Sequence, residues 1–191
     1  MWPPGHLAVA YLCYALWSRR RDGVPPMGLA VVVLAVASQF PDLVDKPLAW
    51  YLGVLPTGRT LAHSLLVVVP LSLLAIWLAR RYDRPELGTA AAIGALSHVL
   101  VDALPVLWRE EAEASFLLWP LVAVEGYEEP GAPSVPELLA ESAAQPYFLL
   151  EFVLLAIALV WWRRDGYPGL GVVRRAIESA VGRGEQLESG E

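Results

Sequence analysis

Three histidines and three aspartates lie at the edges of, or inside, long apolar segments of this chain: His6, Asp42, Asp45, His63, His98 and Asp102. Ionisable side chains are costly in hydrocarbon, so an apolar chain that keeps several of them is expected to use them. Imidazole and carboxylate together suit Zn²⁺, and they also suit Mn²⁺ or Fe²⁺ when the coordination number is higher. The residue types therefore predict a site for a divalent metal ion.

The spacing of one pair strengthens this prediction. His98 and Asp102 are four residues apart in the segment ALSHVLVDAL, so a helix would place both on one face, one turn apart. We predict that Asp42, His63, His98 and Asp102 hold one ion, and that His6 holds a second ion with Asp102 as a bridging carboxylate. Zinc is the first expectation, as one or two ions, with manganese or iron as alternatives.

Taken singly, each ligand also has an ordinary explanation. His98 and Asp102 could form a hydrogen-bonded pair, His6 could be an interfacial residue, and His63 could face water at the start of a helix. Asp42, which follows Pro41, could belong to a turn at a helix end. When the apolar segments are threaded through a membrane in sequence order, all of these residues lie on the same side. A metal site is favoured because the separate explanations would all have to hold at once to account for this shared position.

Composition predicts the class of fold. The chain has 191 residues, of which 56% are hydrophobic and 18% charged, whereas soluble domains are about 45–50% apolar and about 25% charged. A membrane-spanning helix needs about 20 apolar residues. We predict an all-α integral membrane bundle of about five transmembrane helices, with residues 116–124 as a short re-entrant or interfacial segment. The five predicted spans are residues 4–17, 27–41, 61–79, 87–108 and 146–162.

The distribution of charge predicts the orientation. Most of the 14 basic residues follow the first, third and fifth apolar segments, and the positive-inside rule assigns those connections to the cytoplasm. The N-terminus and the 42–60 and 105–145 loops are then outside, in a multi-pass protein of the cell membrane. Residues 1–165 form the membrane domain, and 166–191 a cytoplasmic tail that is amphipathic or disordered. The net charge of −6 argues against a nucleic-acid partner.

Four stretches resemble a known family, the YdjM-like membrane-bound, metal-dependent hydrolases of bacteria and archaea. These stretches are GHLAVAYL, SQFPDLVDK, GRTLAHSLL and LSHVLVDAL, they occur in the family's order, and the resemblance covers residues 5–108. The family's third motif commonly reads His-Arg-x-x-Thr-His-Ser. Here Gly58 and Ala62 replace its first His and its Thr, while Arg59, His63 and Ser64 remain. The stretches MWPPGHLA and PLAWYLGVLP are similar to haloarchaeal members in particular.

A more distant resemblance is to the zinc-dependent phospholipase C class and its related nucleases. Their ligands follow the order His, Asp, His and then a helical HxxxD. The counterparts here are His6, Asp42, His63, and His98 with Asp102. No histidine follows His98 in this chain, so this resemblance implies at most two metal ions.

Together these features predict a metal-dependent hydrolase that cleaves a phosphoester of a membrane lipid or similar amphiphile at the outer face. Asp42 would hold the metal and orient or deprotonate water, and Arg59 would neutralise phosphate charge in the transition state. Asp45 would assist catalysis by orienting a ligating histidine. Two alternatives stay open: Arg59 as a surface arginine that reaches towards water, and a non-enzymatic membrane protein that binds a metal or a partner.

Overall fold

The computed structural model describes residues 1–107, 114–127, 131–143 and 148–188. These residues form helices and no strands, which confirms the all-α class. The α-helices are α1 Pro3–Asp22, α2 Gly28–Ala37, α3 Phe40–Trp50, α4 Leu65–Arg81, α5 Pro85–Ala103, α6 Val135–Ala143, α7 Phe148–Arg164 and α8 Leu170–Glu188. Two short 3₁₀-helices, Leu104–Leu107 and Ser115–Leu118, follow α5.

Helix α5 lies at the centre of the bundle and packs against α1, α2 and α4. Two glycines allow this close packing. A Cβ atom on Gly94 would lie 2.7 Å from the Leu34 carbonyl oxygen of α2, and one on Gly88 would lie 2.7 Å from the Ala75 carbonyl oxygen of α4. Small residues are what bring the backbones of membrane helices this close. The two contacts hold α5 against α4 near its start and against α2 at its middle.

The second predicted span continues beyond its predicted end. Helix α2 stops at Ala37, the chain turns at Ser38 and Gln39, and α3 then runs from Phe40 to Trp50. Pro41 has no N–H to continue the helical hydrogen-bond pattern, which accounts for the break. The prediction that residues 42–60 form a loop was therefore wrong for 42–50, and Asp42 and Asp45 lie on a helix.

Two helical stretches in the described ranges are long and apolar enough to cross a membrane. They are Gly28–Trp50, which joins α2 and α3, and Pro85–Leu107, with 23 residues each. Helices α4 and α7 have 17 residues each, which corresponds to about 25 Å of length. The predicted number of five spans is not established by these observations and stays a prediction.

Two further predicted segments contain helices. In the predicted tail, residues 170–188 form α8, whose exposed side includes Leu170, Val173, Ile177 and Val181. Residues 115–118, which overlap the start of the predicted interfacial segment 116–124, form a 3₁₀-helix whose Phe116 packs on Val68 and Val99. The Phe116 ring meets the His63 ring edge-on at 6.2 Å between centroids, so this segment forms one wall of the site.

Candidate metal centre

The structure brings four side chains from three parts of the chain into one buried cluster. Asp42 on α3, His63 before α4, and His98 and Asp102 on α5 each offer a ligand atom, and these atoms all lie within 4.8 Å of one another. His63 and His98 have no exposed surface. Residues spread over positions 42 to 102 of the sequence therefore form a single set of nitrogen and oxygen donors.

The ring orientation of His98 is fixed by the helix break. Its Nδ1 atom lies 2.6 Å from the Ser38 carbonyl oxygen, and because a carbonyl oxygen only accepts, Nδ1 carries the proton and donates it. The Ser38 carbonyl is free for this bond because it lies at the junction of α2 and α3. The Nε2 lone pair of neutral His98 therefore points into the cluster.

Asp45 fixes the ring of His63 in the same way. The His63 Nδ1 atom lies 2.8 Å from Asp45 Oδ2, and Asp45 also accepts the backbone N–H groups of Thr60, Ala62 and His63. Asp45 is fully buried. This carboxylate therefore holds the 60–63 segment and one histidine tautomer, and it lies behind His63 rather than at the open side of the cluster.

The two Nε2 atoms of His63 and His98 face each other at 3.2 Å. Since the Nδ1 atom of each ring is used as a donor, two lone pairs oppose one another unless a cation or a proton lies between them. Two imidazole nitrogens on one tetrahedral zinc, at about 2.0–2.1 Å each, are separated by about 3.3 Å. The residues present thus fit a divalent ion.

The two carboxylates complete the set. Asp42 Oδ1 lies 3.6 Å from Nε2 of both His63 and His98, and this buried oxygen has no hydrogen-bond partner in the described part of the chain. Asp102 Oδ2 lies 3.7 Å from His63 Nε2. The oxygen of Asp42 that lacks a partner is therefore the one directed at the histidines.

Cationic groups contact the carboxylate oxygens of Asp42 and Asp102. Lys46 Nζ pairs with Asp42 Oδ2, and Arg59 Nε lies 2.9 Å from Asp102 Oδ2. The amino group of Met1 lies 3.0 Å from Asp102 Oδ1. The Asp102 carboxylate raises the pKa of Arg59 above its usual value, so this guanidinium stays charged at any physiological pH.

His6 lies beside the cluster and outside the group of four. Its ring stacks on that of His98 with centroids 3.7 Å apart, and its Nε2 atom lies 3.3 Å from Asp102 Oδ1 and 3.0 Å from the Met1 carbonyl oxygen. Its buried Nδ1 atom has no partner in the described part of the chain. Because a carbonyl oxygen only accepts, Nε2 carries the ring proton in this arrangement and Nδ1 is the nitrogen with a lone pair, and the role of His6 as a ligand stays a prediction.

Sequence reasoning missed several residues that shape this site. Ser38 contributes a backbone carbonyl, which no side-chain pattern can reveal. His63 precedes α4 instead of lying in its first turn, because Ser64 caps that helix by accepting the Leu66 N–H and also donates to the Trp119 carbonyl. Lys46 did have a signal, since it follows Asp42 by four residues on what proved to be a helix.

A family model described as YdjM inner membrane protein matches residues 1–166 of this chain. No curated protein matches it. No solved structure matches it either.

Proposed function

This chain belongs to the YdjM inner membrane protein family, and we propose that it is a membrane-embedded, metal-dependent hydrolase that cleaves a phosphoester of a lipid or similar amphiphile. The observation that carries the proposal is the pair of opposed Nε2 atoms, 3.2 Å apart, with the unpartnered Asp42 oxygen beside them. Asp42, His63, His98 and Asp102 would hold the ion. A divalent ion supplies Lewis-acid polarisation of a phosphoryl oxygen and acidifies water.

The remaining chemistry falls to side chains of the chain itself. The Asp42 carboxylate can also orient or deprotonate an attacking water. Arg59 is half exposed, and its guanidinium has further N–H groups beyond the Nε atom that pairs with Asp102. These groups can bind non-bridging phosphoryl oxygens and stabilise the charge that develops on them. Asp45 keeps His63 oriented and acts as a positioning residue.

An apolar groove supports the lipid part of the proposal. It has a volume of about 440 Å³ and runs between α2 and α4 over the small residues Ala91 and Ala95 of α5. One end of the groove lies at Ala37 and Phe40, next to the Ser38 carbonyl that binds His98. Hydrocarbon is the medium around these helices, and we assign the groove to the hydrocarbon tail of the substrate, whose headgroup then lies at the metal ligands.

We further propose that the protein crosses the membrane five times, with the metal centre at the outer face. The arginines at the end of α1, the end of α4 and the end of α7 support this orientation, since basic residues stay on the cytoplasmic side. Helix α5 runs towards the site, and α4 runs away from it. The cluster then lies at the end of the bundle opposite to these arginines.

The decisive experiment is hydrolysis by purified protein in detergent or nanodiscs, with metal content measured on the same samples. A panel of phosphomonoester, phosphodiester, carboxyl ester and peptide substrates is assayed with and without chelator. We expect chelator-sensitive turnover of a phosphoester, which Arg59→Gln lowers while bound metal is kept. Stoichiometric metal without turnover of any member of the panel would instead support a non-enzymatic metal-binding protein.

A further inference from the structure

Each of the two carboxylates in the metal cluster pairs with one cationic side chain, and Asp102 also contacts the Met1 amino group. Lys46 Nζ pairs with Asp42, and Arg59 Nε pairs with Asp102 at 2.9 Å. The carboxylate side chains are 10% and 2% exposed, whereas those of Lys46 and Arg59 are 30% and 50% exposed. The two cationic side chains therefore lie on the solvent side, between the buried ligands and anything that approaches from water.

The sum of charges shows that this pair has capacity for a further anion. The carboxylates Asp42, Asp45 and Asp102 carry three negative charges, and Lys46, Arg59 and the Met1 amino group carry three positive charges. A divalent ion bound to neutral histidines would make the local sum positive, in a chain whose net charge is −6. Once the ion neutralises Asp42 and Asp102, the two cationic side chains are no longer required for that purpose.

The chain also builds a defined position for the lysine. A Cβ atom on Gly58 would lie 3.2 Å from Lys46 Cγ, 3.6 Å from Trp50 Nε1 and 3.6 Å from the Tyr127 hydroxyl. Because Gly58 has no side chain, the Lys46 stem can pass directly beside its backbone, and Gly58 immediately precedes Arg59. The Lys46 Nζ atom lies 5.7 Å from the centre of the Trp50 ring, within range of a cation–π contact. Lys46 is the only lysine among the 14 basic residues.

We propose that Lys46 and Arg59 form an anion-binding pair that recognises the phosphate group of the substrate, with Lys46 as a residue that determines specificity for phosphoesters over neutral esters and amides. This inference rests on the proposed hydrolase function and specifies its substrate class. Arginine presents a planar fork of N–H groups that matches phosphate oxygens, and lysine adds a compact charge. A neutral amide or carboxyl ester has no negative charge that could bind the Lys46 ammonium group.

The test uses full-length protein loaded with metal, and inorganic phosphate as the probe. Phosphate affinity is measured by calorimetry for the wild type, Lys46→Gln, Lys46→Arg and the control Arg174→Gln, which removes an exposed charge on α8. We expect Lys46→Gln to weaken phosphate binding by roughly tenfold to a hundredfold, Lys46→Arg to keep most of it, and the control to match the wild type. Metal stoichiometry should be equal in all four proteins.

Unchanged phosphate affinity in Lys46→Gln, at full metal occupancy, would overturn the inference and leave the hydrolase proposal intact. Lysine-dependent phosphate binding without turnover of any ester would overturn the hydrolase proposal and leave anion binding by Lys46 and Arg59 in place. Two further arms separate the sources of phosphate: soluble glycerol phosphate, and vesicles that contain a lipid phosphomonoester. An equal loss of binding in both arms supports headgroup recognition, whereas a loss on vesicles alone would overturn it, because Lys46 would then act as a general contact with anionic lipid.

Discussion

His63 and His98 meet through their Nε2 atoms at 3.2 Å, and each ring is locked by an acceptor on its other nitrogen. The acceptor is the Asp45 carboxylate for His63 and the Ser38 carbonyl for His98. Both acceptors leave the facing nitrogens as lone-pair donors to an ion. A divalent cation bound between the facing nitrogens would take both of them as ligands.

The first prediction concerns the metal itself. Replacing His98 by alanine removes a ligand from the centre of the cluster, and we expect the bound metal to fall from about one ion per chain to near zero. Elemental analysis of the purified protein measures this directly. The variant Glu178→Gln, at an exposed ion pair on α8, should keep the metal of the wild type. A His98→Ala protein with wild-type helicity and full metal content would contradict the site.

Asp45→Asn should weaken the site without removing a ligand. The amide keeps the volume of the carboxylate, but only its oxygen accepts, so its NH2 group must face either the Ala62 N–H or the Thr60 and His63 N–H groups, and the His63 Nδ1 proton is held less strongly. Loss of such an orienting carboxylate typically costs about 10–100-fold in metal affinity. Competition against a fluorescent chelator measures this loss. An affinity equal to that of the wild type would show that the Asp45–His63 contact has no influence on the ion.

Gly94→Ala should reduce both stability and metal affinity. The new methyl group would lie 2.7 Å from the Leu34 carbonyl oxygen and 3.0 Å from the Ser38 nitrogen, so α2 must move away from α5. Overpacking of this kind costs about 1–3 kcal/mol. The same shift moves the Ser38 carbonyl that orients His98.

Gly88→Ala is the matched control for that variant. Its methyl group would lie equally close, at 2.7 Å, to the Ala75 carbonyl oxygen, but this contact is near the start of α5, further along the helix from His98. We expect a comparable drop in melting temperature with metal affinity unchanged. Equal effects of both variants on metal affinity would show that the influence of Gly94 on the site is only a consequence of lower stability.

If the groove binds the hydrocarbon tail of the substrate, KM should depend on the length of that tail. Ala91→Phe places a large ring in its floor, away from the metal ligands. We expect KM for a long-chain phosphoester to rise by about fourfold for each methylene group that the ring excludes, since each contributes about 0.8 kcal/mol. KM for a short, soluble phosphoester should not change. A loss of activity on both substrates would argue against binding of the tail in this groove.

The proposed orientation can be tested with two matched tyrosines. Tyr51 follows α3 at the site end, Tyr82 follows α4 at the other end, and both are 74% exposed. In a Cys13→Ser background, which removes the only cysteine, each is replaced by cysteine and intact cells are treated with a membrane-impermeant maleimide. We expect Tyr51→Cys to be labelled and Tyr82→Cys to be protected until the cells are lysed. The opposite pattern would place the metal centre in the cytoplasm.

The amino-acid sequence by itself determined the class of fold and the types of ligand. The apolar composition predicted helices, and the i, i+4 spacing placed His98 and Asp102 on one face of α5. These features are local, so that periodicity and residue chemistry reveal them. The same local reasoning failed at the α2–α3 junction, where it ended a helix at Pro41 although the chain resumes as α3.

Only the tertiary structure decided which atoms meet. The Ser38 carbonyl reaches His98 because Gly94 allows α2 to approach α5, and Asp45 reaches His63 because the 60–63 segment folds back onto α3. The position of Lys46 over Asp42 and beside Gly58 depends on the same packing. Distances between side chains far apart in sequence are set by helix packing and backbone hydrogen bonds, and no spacing within a single segment contains that information.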